Sequence, residues 1–308
     1  MKRREFVKKG LFYSVAASVY AATIGRIMPV LGQKSDQPKG NYDLVAVRGG
    51  QPADMYKKAM EEMGGIAKFV KRGQTVVIKP NIGWDVTPER AANTNPDLVG
   101  AIVKDCVGAG ARRVFVFDNT CDQWQRCYTN SGIEKAVIDN GGQMVPGNLE
   151  RYYQEVKIPG AKKLKSTKVH EQIINADVFI NVPVLKHHAS TGLTIAMKNL
   201  MGAVWNRRWW HINNLHQCIA DFCLYCKPTL NIVDAHLVMK KNGPRGTSTS
   251  DLTLMQSLLV STDIVAIDAA STLLFGDQPD NVGYISIADE MGIGTADLSK
   301  LNIQRVYL

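Results

Sequence analysis

Gln74-Thr75-Val76-Val77-Ile78-Lys79-Pro80-Asn81, the helix-period stretch from Asp97 to Ala109, and Arg112-Arg113-Val114-Phe115-Val116-Phe117-Asp118 together decide the fold. The first and third are runs of β-branched and aromatic residues, apolar at consecutive positions, as in strands buried on both faces of a parallel sheet. A helix between two such strands is the crossover that parallel pairing requires. Working outward, Tyr42 to Arg48 predicts a preceding strand. Ala53 to Val70 carries Met55, Ala59, Met63, Ile66 and Val70 at helical spacing, interrupted at Gly64-Gly65. Downstream, Ile133 to Asn140 predicts a helix, and Asp177 to Pro183 and Thr229 to Asp234 predict strands. The alternation predicts an α/β fold, a mostly parallel sheet with helices on both faces and an active-site crevice at the carboxyl ends of the strands. Asn81, Asp118, Lys186 and Asp234 stand at such ends and should converge there. Residues 41–308 are expected to form a single α/β domain, with 187–250 as a lid or insertion.

The chain opens Met1-Lys2-Arg3-Arg4-Glu5-Phe6-Val7-Lys8-Lys9-Gly10, followed by the apolar run Leu11 to Ala22. Adjacent arginines before a short apolar stretch are the pattern of a twin-arginine export signal. An anchor or an ordinary secretory signal are the alternatives, and the apolar run, broken by Arg26 and Pro29, falls short of the ~20 residues that span a bilayer. The expectation is a signal over 1–32, cut after Gly32 or, as a rival, after Ala22, then a flexible leader over 33–40. The twin-arginine translocation machinery would be the partner, the destination periplasmic, and the membrane engaged only during export.

Six cations and Glu5 within the first 32 residues account for five of the nine formal positive charges, leaving +4 for the remainder. That balance, with no aromatic interleaving around the basic run Lys157, Lys162, Lys163, Lys165 and Lys168, predicts a solvated loop and no nucleic-acid partner. Six cysteines in 308 residues are no disulfide framework. Cys121 and Cys127 could nevertheless close a local bridge in an oxidising compartment. Cys218, Cys223 and Cys226 have part of an iron–sulfur spacing, but their segment reads as an amphipathic helix, so core packing is expected and an iron–sulfur cluster is not.

The densest constellation is Asn181-Val182-Pro183-Val184-Leu185-Lys186-His187-His188 with Thr191-Gly192-Leu193-Thr194-Ile195-Ala196-Met197-Lys198-Asn199-Leu200-Met201-Gly202. With Ile78 to Asn81, Thr94-Asn95-Pro96, Val233-Asp234-Ala235, Asn242-Gly243-Pro244-Arg245-Gly246 and Asp263 to Asp268, it resembles the family called domain of unknown function 362, in order over about residues 75–290. Some members carry a ferredoxin-like module. This chain has no Cys-x2-Cys-x2-Cys-x3-Cys run for one.

From the residues themselves, Lys79, Lys186, Lys198 and Arg245 with Asn81 and Asn199 in one crevice would present fixed donors to a small anionic ligand, a carboxylate or phosphate. His187 and His188 are adjacent, so on an extended segment one alone can face the crevice. The resemblance selects His188. A three-ligand site for a divalent metal could draw on His188, His211 and His216 with Asp118 or Asp234. Asp263 reads as a helix cap. Asp268, inside an apolar helix, should take a lysine of the pocket as partner. The segment Trp205 to His211, with three tryptophans and two arginines, could close over a ligand or pack as a flap. Two function classes follow: a redox or metal-assisted enzyme with His188 and Lys186 as working groups and Asp118 and Asp234 as partners of His188, or a non-catalytic carrier using the same pocket.

Overall fold

A computed structural model describes residues 39–308. The signal segment 1–32, and with it the expected cleavage, lies outside the described residues, as does the leader up to 38. No helix among the described residues is long and apolar enough to cross a membrane.

The chain runs β1 (Leu44–Arg48), α1 (Pro52–Met63), β2 (Thr75–Pro80), α2 (Pro96–Gly108), β3 (Arg113–Val116), α3 (Trp124–Asn130), α4 (Ile133–Asp139) and β4 (Gln143–Met144). Then come β5 (Tyr153–Lys157), β6 (Ser166–His170), α5 (Glu171–Asn175), β7 (Val178–Val182), β8 (Val184–His188), β9 (Gly192–Thr194), α6 (Ala196–Asn199), α7 (Arg207–Ile212) and α8 (Leu215–Tyr225). β10 (Leu230–Met239), β11 (Leu252–Ser261), α9 (Ile264–Phe275), α10 (Gly283–Glu290) and β12 (Ile303–Tyr307) complete it.

The main sheet has the order β12-β1-β11-β10-β7-β2-β3-β4, with β8 and β9 branching from β10. Pairings from β10 through β7, β2 and β3 to β4 are parallel, as are β1–β12 and β8–β10. Antiparallel pairing enters through β11, which lies between β1 and β10, and through β8–β9. The buried runs work as expected: Val76 and Ile78 pack into one apolar cluster with α1 and α2, while Val77 between them packs into the other with α8, α9 and α10. Each fully buried Val or Ile contributes on the order of 1.5–3 kcal/mol by leaving water. That alternation also settles Lys79, two residues beyond Val77, on the α6 and α8 side.

Helix ends follow local chemistry. Pro96 starts α2, and the Asn95 side chain accepts from the amides of Asp97 and Leu98. Asp263 caps α9 as expected, accepting from Val265 and Ala266 at 2.8 and 3.0 Å.

Two expectations are corrected, the lid and the Cys121–Cys127 bridge. Residues 187–250 are no lid: they supply β9, α6, α7, α8 and β10, the last bonded to β7, β8 and β11. The basic run is exposed as expected, with Lys162, Lys163 and Lys165 in the loop that joins the antiparallel strands β5 and β6, a loop anchored by the buried Asp221 carboxylate. That carboxylate accepts from the amides of Lys162, Lys163 and Leu164 at 2.9, 2.6 and 2.8 Å. Cys121 and Cys127 are free thiols, the first exposed and the second buried. Cys218 and Cys223 lie on α8 and Cys226 just after it, all packed in the core.

Candidate functional site

At the carboxyl ends of β2 and β3 a cleft of about 380 Å³ opens between the loop after β2, the loop after β3, β8, α6 and α7. Among the described residues, Lys79, Lys186, Lys198, Arg207 and Arg208 line it against a single carboxylate, Asp118.

Lys79 is fully buried and pairs with Asp118 Oδ1 at 2.8 Å, while donating to the Pro80 carbonyl at 2.9 Å and to Asn199 Oδ1 at 3.2 Å. Burial pulls its ammonium below the ordinary lysine range, and Asp118 opposes that pull. Asp118 accepts through its other oxygen from the Ile82 amide at 2.7 Å, so it is tied to the loop after β2 and to Lys79. It is not the partner of His188.

A chain of amides supports these groups. Asn181 Nδ2 donates to Asn231 Oδ1 and to the Ala196 carbonyl, both at 3.0 Å. Asn199 Nδ2 donates to Asn181 Oδ1 at 2.9 Å and to the Lys79 carbonyl at 3.1 Å, and its oxygen receives Asn81 Nδ2 at 3.2 Å. Thr94 ties the Asn81 amide, at 2.8 Å, to the Val182 carbonyl, at 2.7 Å. The Asn residues at the ends of β2 and β7 therefore hold the cleft floor in one arrangement.

Lys186, on β8, donates to Asn81 Oδ1 at 3.3 Å and to the Ala92 carbonyl. Burial pushes its pKa down to about 7. Lys198 is only 8% exposed, and its ammonium finds just the thioether of Met201 at 3.5 Å; burial pushes it down to about 8. His188 lines the cleft and accepts at Nδ1 from the Ser190 amide at 3.0 Å. Burial and then Lys198 and Lys186 push it down to about 2, so it is neutral and its remaining ring nitrogen carries the proton. His187 turns to the other side and accepts from the Gly243 amide at 3.1 Å, as the alternation on a strand requires.

Four expected members are not in the cleft lining: Asp234, Asp268, Arg245 and His216. Asp234 accepts from the Asn95 amide at 2.8 Å and from the His236 amide at 3.1 Å, pinning the start of α2. Asp268 takes no lysine: it accepts from the Ala196 and Met197 amides at 2.7 and 3.0 Å. Burial pushes its carboxyl up to about 8 and the two amides pull it back. It thereby fixes the first turn of α6, and with it Lys198 and Asn199, without touching the cleft. Arg245 stands at the rim, 55% exposed, against Asp122 at 3.4 Å and over the Trp84 ring. The metal set is not assembled: His211 lines the cleft, but His216 stacks on Tyr284 elsewhere. Among the described residues no group of three or more His, Cys, Asp or Glu is placed to hold a metal ion.

Arg207, Arg208, Thr194, Trp84 and Cys121 join the cleft without having been singled out as site residues. Arg207 donates to the Asn119 and Thr120 carbonyls at 2.7 and 2.8 Å, clamping the loop after β3. The signal for it was the Arg pair in the tryptophan segment, which α7 swings over the cleft mouth.

The family model "Domain of unknown function (DUF362)" matches residues 76–272. A thylakoid-associated protein of Synechocystis sp. is 25% identical over 253 residues, covering 76% of this chain and 73% of that one. Among solved structures, the lactate racemase apoprotein of Thermoanaerobacterium thermosaccharolyticum superposes with a TM-score of 0.43 at 13% identity, over 72% of this chain and 55% of that one. A Thermotoga maritima protein gives 0.41 at 12%, over 62% and 52%. The chain thus spans about half the length of these two structures.

Proposed function

We propose that this chain, which belongs to the family of domain of unknown function DUF362, binds a small carboxylate- or phosphate-bearing anion in the cleft and acts on it by proton transfer. The observation that carries this reading is the imbalance of five cationic side chains against one carboxylate, among the described residues, in a cleft whose three lysines are buried. Buried ammonium groups without counter-charge are costly. An anion bridging Lys186, Lys198 and the arginines offsets that cost and gains charged hydrogen bonds.

Proton transfer is supported by Lys186, whose amine and ammonium forms are both populated near neutral pH. Arg207 and Lys79 would stabilise charge, and neutral His188 would donate rather than serve as the base. A redox-active or metal-bearing anion would be held by the same cations. A non-catalytic carrier would use the same contacts without turnover.

Isothermal titration with phosphate at pH 6.5 tests the pocket. Lys186→Met keeps the stem and deletes the charge, and should weaken binding by on the order of 1.5–3 kcal/mol, the scale of a charged hydrogen bond. Lys163→Met on the distant hairpin loop should leave it unchanged. Equal binding by wild type and Lys186→Met removes the reading.

Export is part of the proposal, supported by the Arg3-Arg4 pair and the apolar run after it. A protein that folds before export can carry its ligand to the periplasm. Arg3-Arg4→Lys-Lys should leave the protein in the cytoplasm, because two planar guanidinium forks are not reproduced by ammonium groups. Full periplasmic recovery of that variant on fractionation would remove the twin-arginine route.

A further inference from the structure

Cys121 differs from the other five cysteines. Cys106, Cys127, Cys218, Cys223 and Cys226 are buried, whereas Cys121 is exposed, and it opens into the cationic cleft. Its position is fixed by backbone contacts on both sides. The Cys121 amide donates to the Gly83 carbonyl at 2.8 Å, Arg207 holds the Thr120 carbonyl at 2.8 Å, and the Asn119 amide donates to the Gly202 carbonyl at 3.0 Å. A second, independent feature of the cleft is Lys198, more than nine-tenths buried, whose ammonium among the described residues meets no oxygen and only the Met201 sulfur. Cys121, Lys186 and Lys198 line the same cleft.

A soft nucleophile on a fixed loop, sharing a cleft with a cation that lacks an oxygen partner, suits an electrophile whose attacked atom adjoins an oxygen gaining negative charge. We propose that Cys121 is the nucleophile of this cleft and that its substrate class is a small carbonyl compound bearing a carboxylate or phosphate, captured as a thiohemiacetal. The step balances without a co-reactant. The sulfur–carbon bond forms, the carbonyl π bond opens onto oxygen, and the thiol proton passes to that oxygen, with nothing oxidised or reduced. Lys198 meets the developing oxyanion, and Lys186 and Arg208 hold the acid group. The inference rests on the anionic-ligand reading of the same cleft and adds the reacting atom and the class of electrophile.

The test uses the full chain, with alkylation at Cys121 followed by peptide mass analysis. Iodoacetate and iodoacetamide differ in charge but make the same bond. Their rate ratio at Cys121 should exceed that of the urea-unfolded chain by about tenfold, the lower end of electrostatic focusing in a charged cleft. In Lys198→Met the ratio should fall toward the unfolded value, and Cys121→Ser should lose the label. Glyoxylate, an anionic carbonyl compound, should slow Cys121 alkylation several-fold more than acetate at equal concentration. Equal protection by glyoxylate and acetate overturns the nucleophile while leaving the anion pocket standing. No protection by either, with a charge-blind alkylation ratio, sinks both. A borohydride-trapped glyoxylate adduct on Lys186 or Lys198 instead of protection at Cys121 assigns the nucleophile to a lysine and overturns the proposal.

Discussion

A methyl group on Gly202 would overlap the Asp118 carboxylate and stand 2.6 Å from Lys79 Nζ. Both neighbours are ends of side chains, which elsewhere could move aside. Here Asp118 is held by the Ile82 amide and Lys79 by the Pro80 carbonyl and Asn199, with Lys79 fully buried, so moving either breaks those bonds. Gly202→Ala should therefore separate the pair, leaving a desolvated charge without its partner. We expect a loss of roughly 2–4 kcal/mol in denaturant unfolding, between the cost of simple overpacking and that of breaking a buried ion pair. Phosphate binding should weaken with it, since Lys79 and Asp118 both line the cleft. A variant as stable as wild type would mean that Asp118 rotates freely and that the pair is no fixed feature of the floor.

At the scale of elements, what could be read from the sequence was what buries an unbroken apolar run. β2, β3 and β7 are such runs, and the strand-end residues Asn81, Asp118 and Lys186 do converge. β11 escaped because Leu252 to Ser261 has neither a clean alternation nor a continuous apolar run: Thr253, Gln256 and Ser257 interrupt it, and Gln256 adopts a left-handed φ of 44°. Its position between β1 and β10 is set by long-range pairing. α6 escaped for a related reason. A four-residue helix is too short to stand on propensity; its first amides are satisfied by Asp268, 72 residues on in the chain. The lysine partner expected for Asp268 failed on the same point, because free amides at a helix start answer a carboxylate as well as an ammonium does. Asp234 followed suit, spending its carboxylate on the loop before α2. The sequence pointed to Asp268 as a buried carboxylate; which neighbour satisfies it was decided by the fold.

At the scale of the whole molecule, the cleft makes stability depend on pH in a direction that can be fixed. Lysine titrates ordinarily near 10.5, and burial lowers Lys186 to about 7. Between those values the unfolded chain carries a proton on this amine that the folded chain does not, so unfolding takes up a proton and this group's contribution rises with pH across the window. Below about 7 both states are protonated and the full cost of burying the ammonium is present. Lys198, lowered to about 8, acts in the same sense. Lys186→Met removes this dependence for one of the two groups. Its stability relative to wild type should therefore grow as pH falls from 10 to 7, by at most about 1.4 kcal/mol per pH unit, and level off below 7. An anion in the cleft favours the ammonium form, so phosphate should raise the Lys186 pKa and narrow the gap between the two proteins at and below about pH 7, the narrowing fading as pH rises through the raised pKa. Urea unfolding of both at several pH values, with and without phosphate, reads this directly. A pH-independent difference would mean that Lys186 reaches water in the folded state, and the desolvated cationic cleft would lose its chief titrating member.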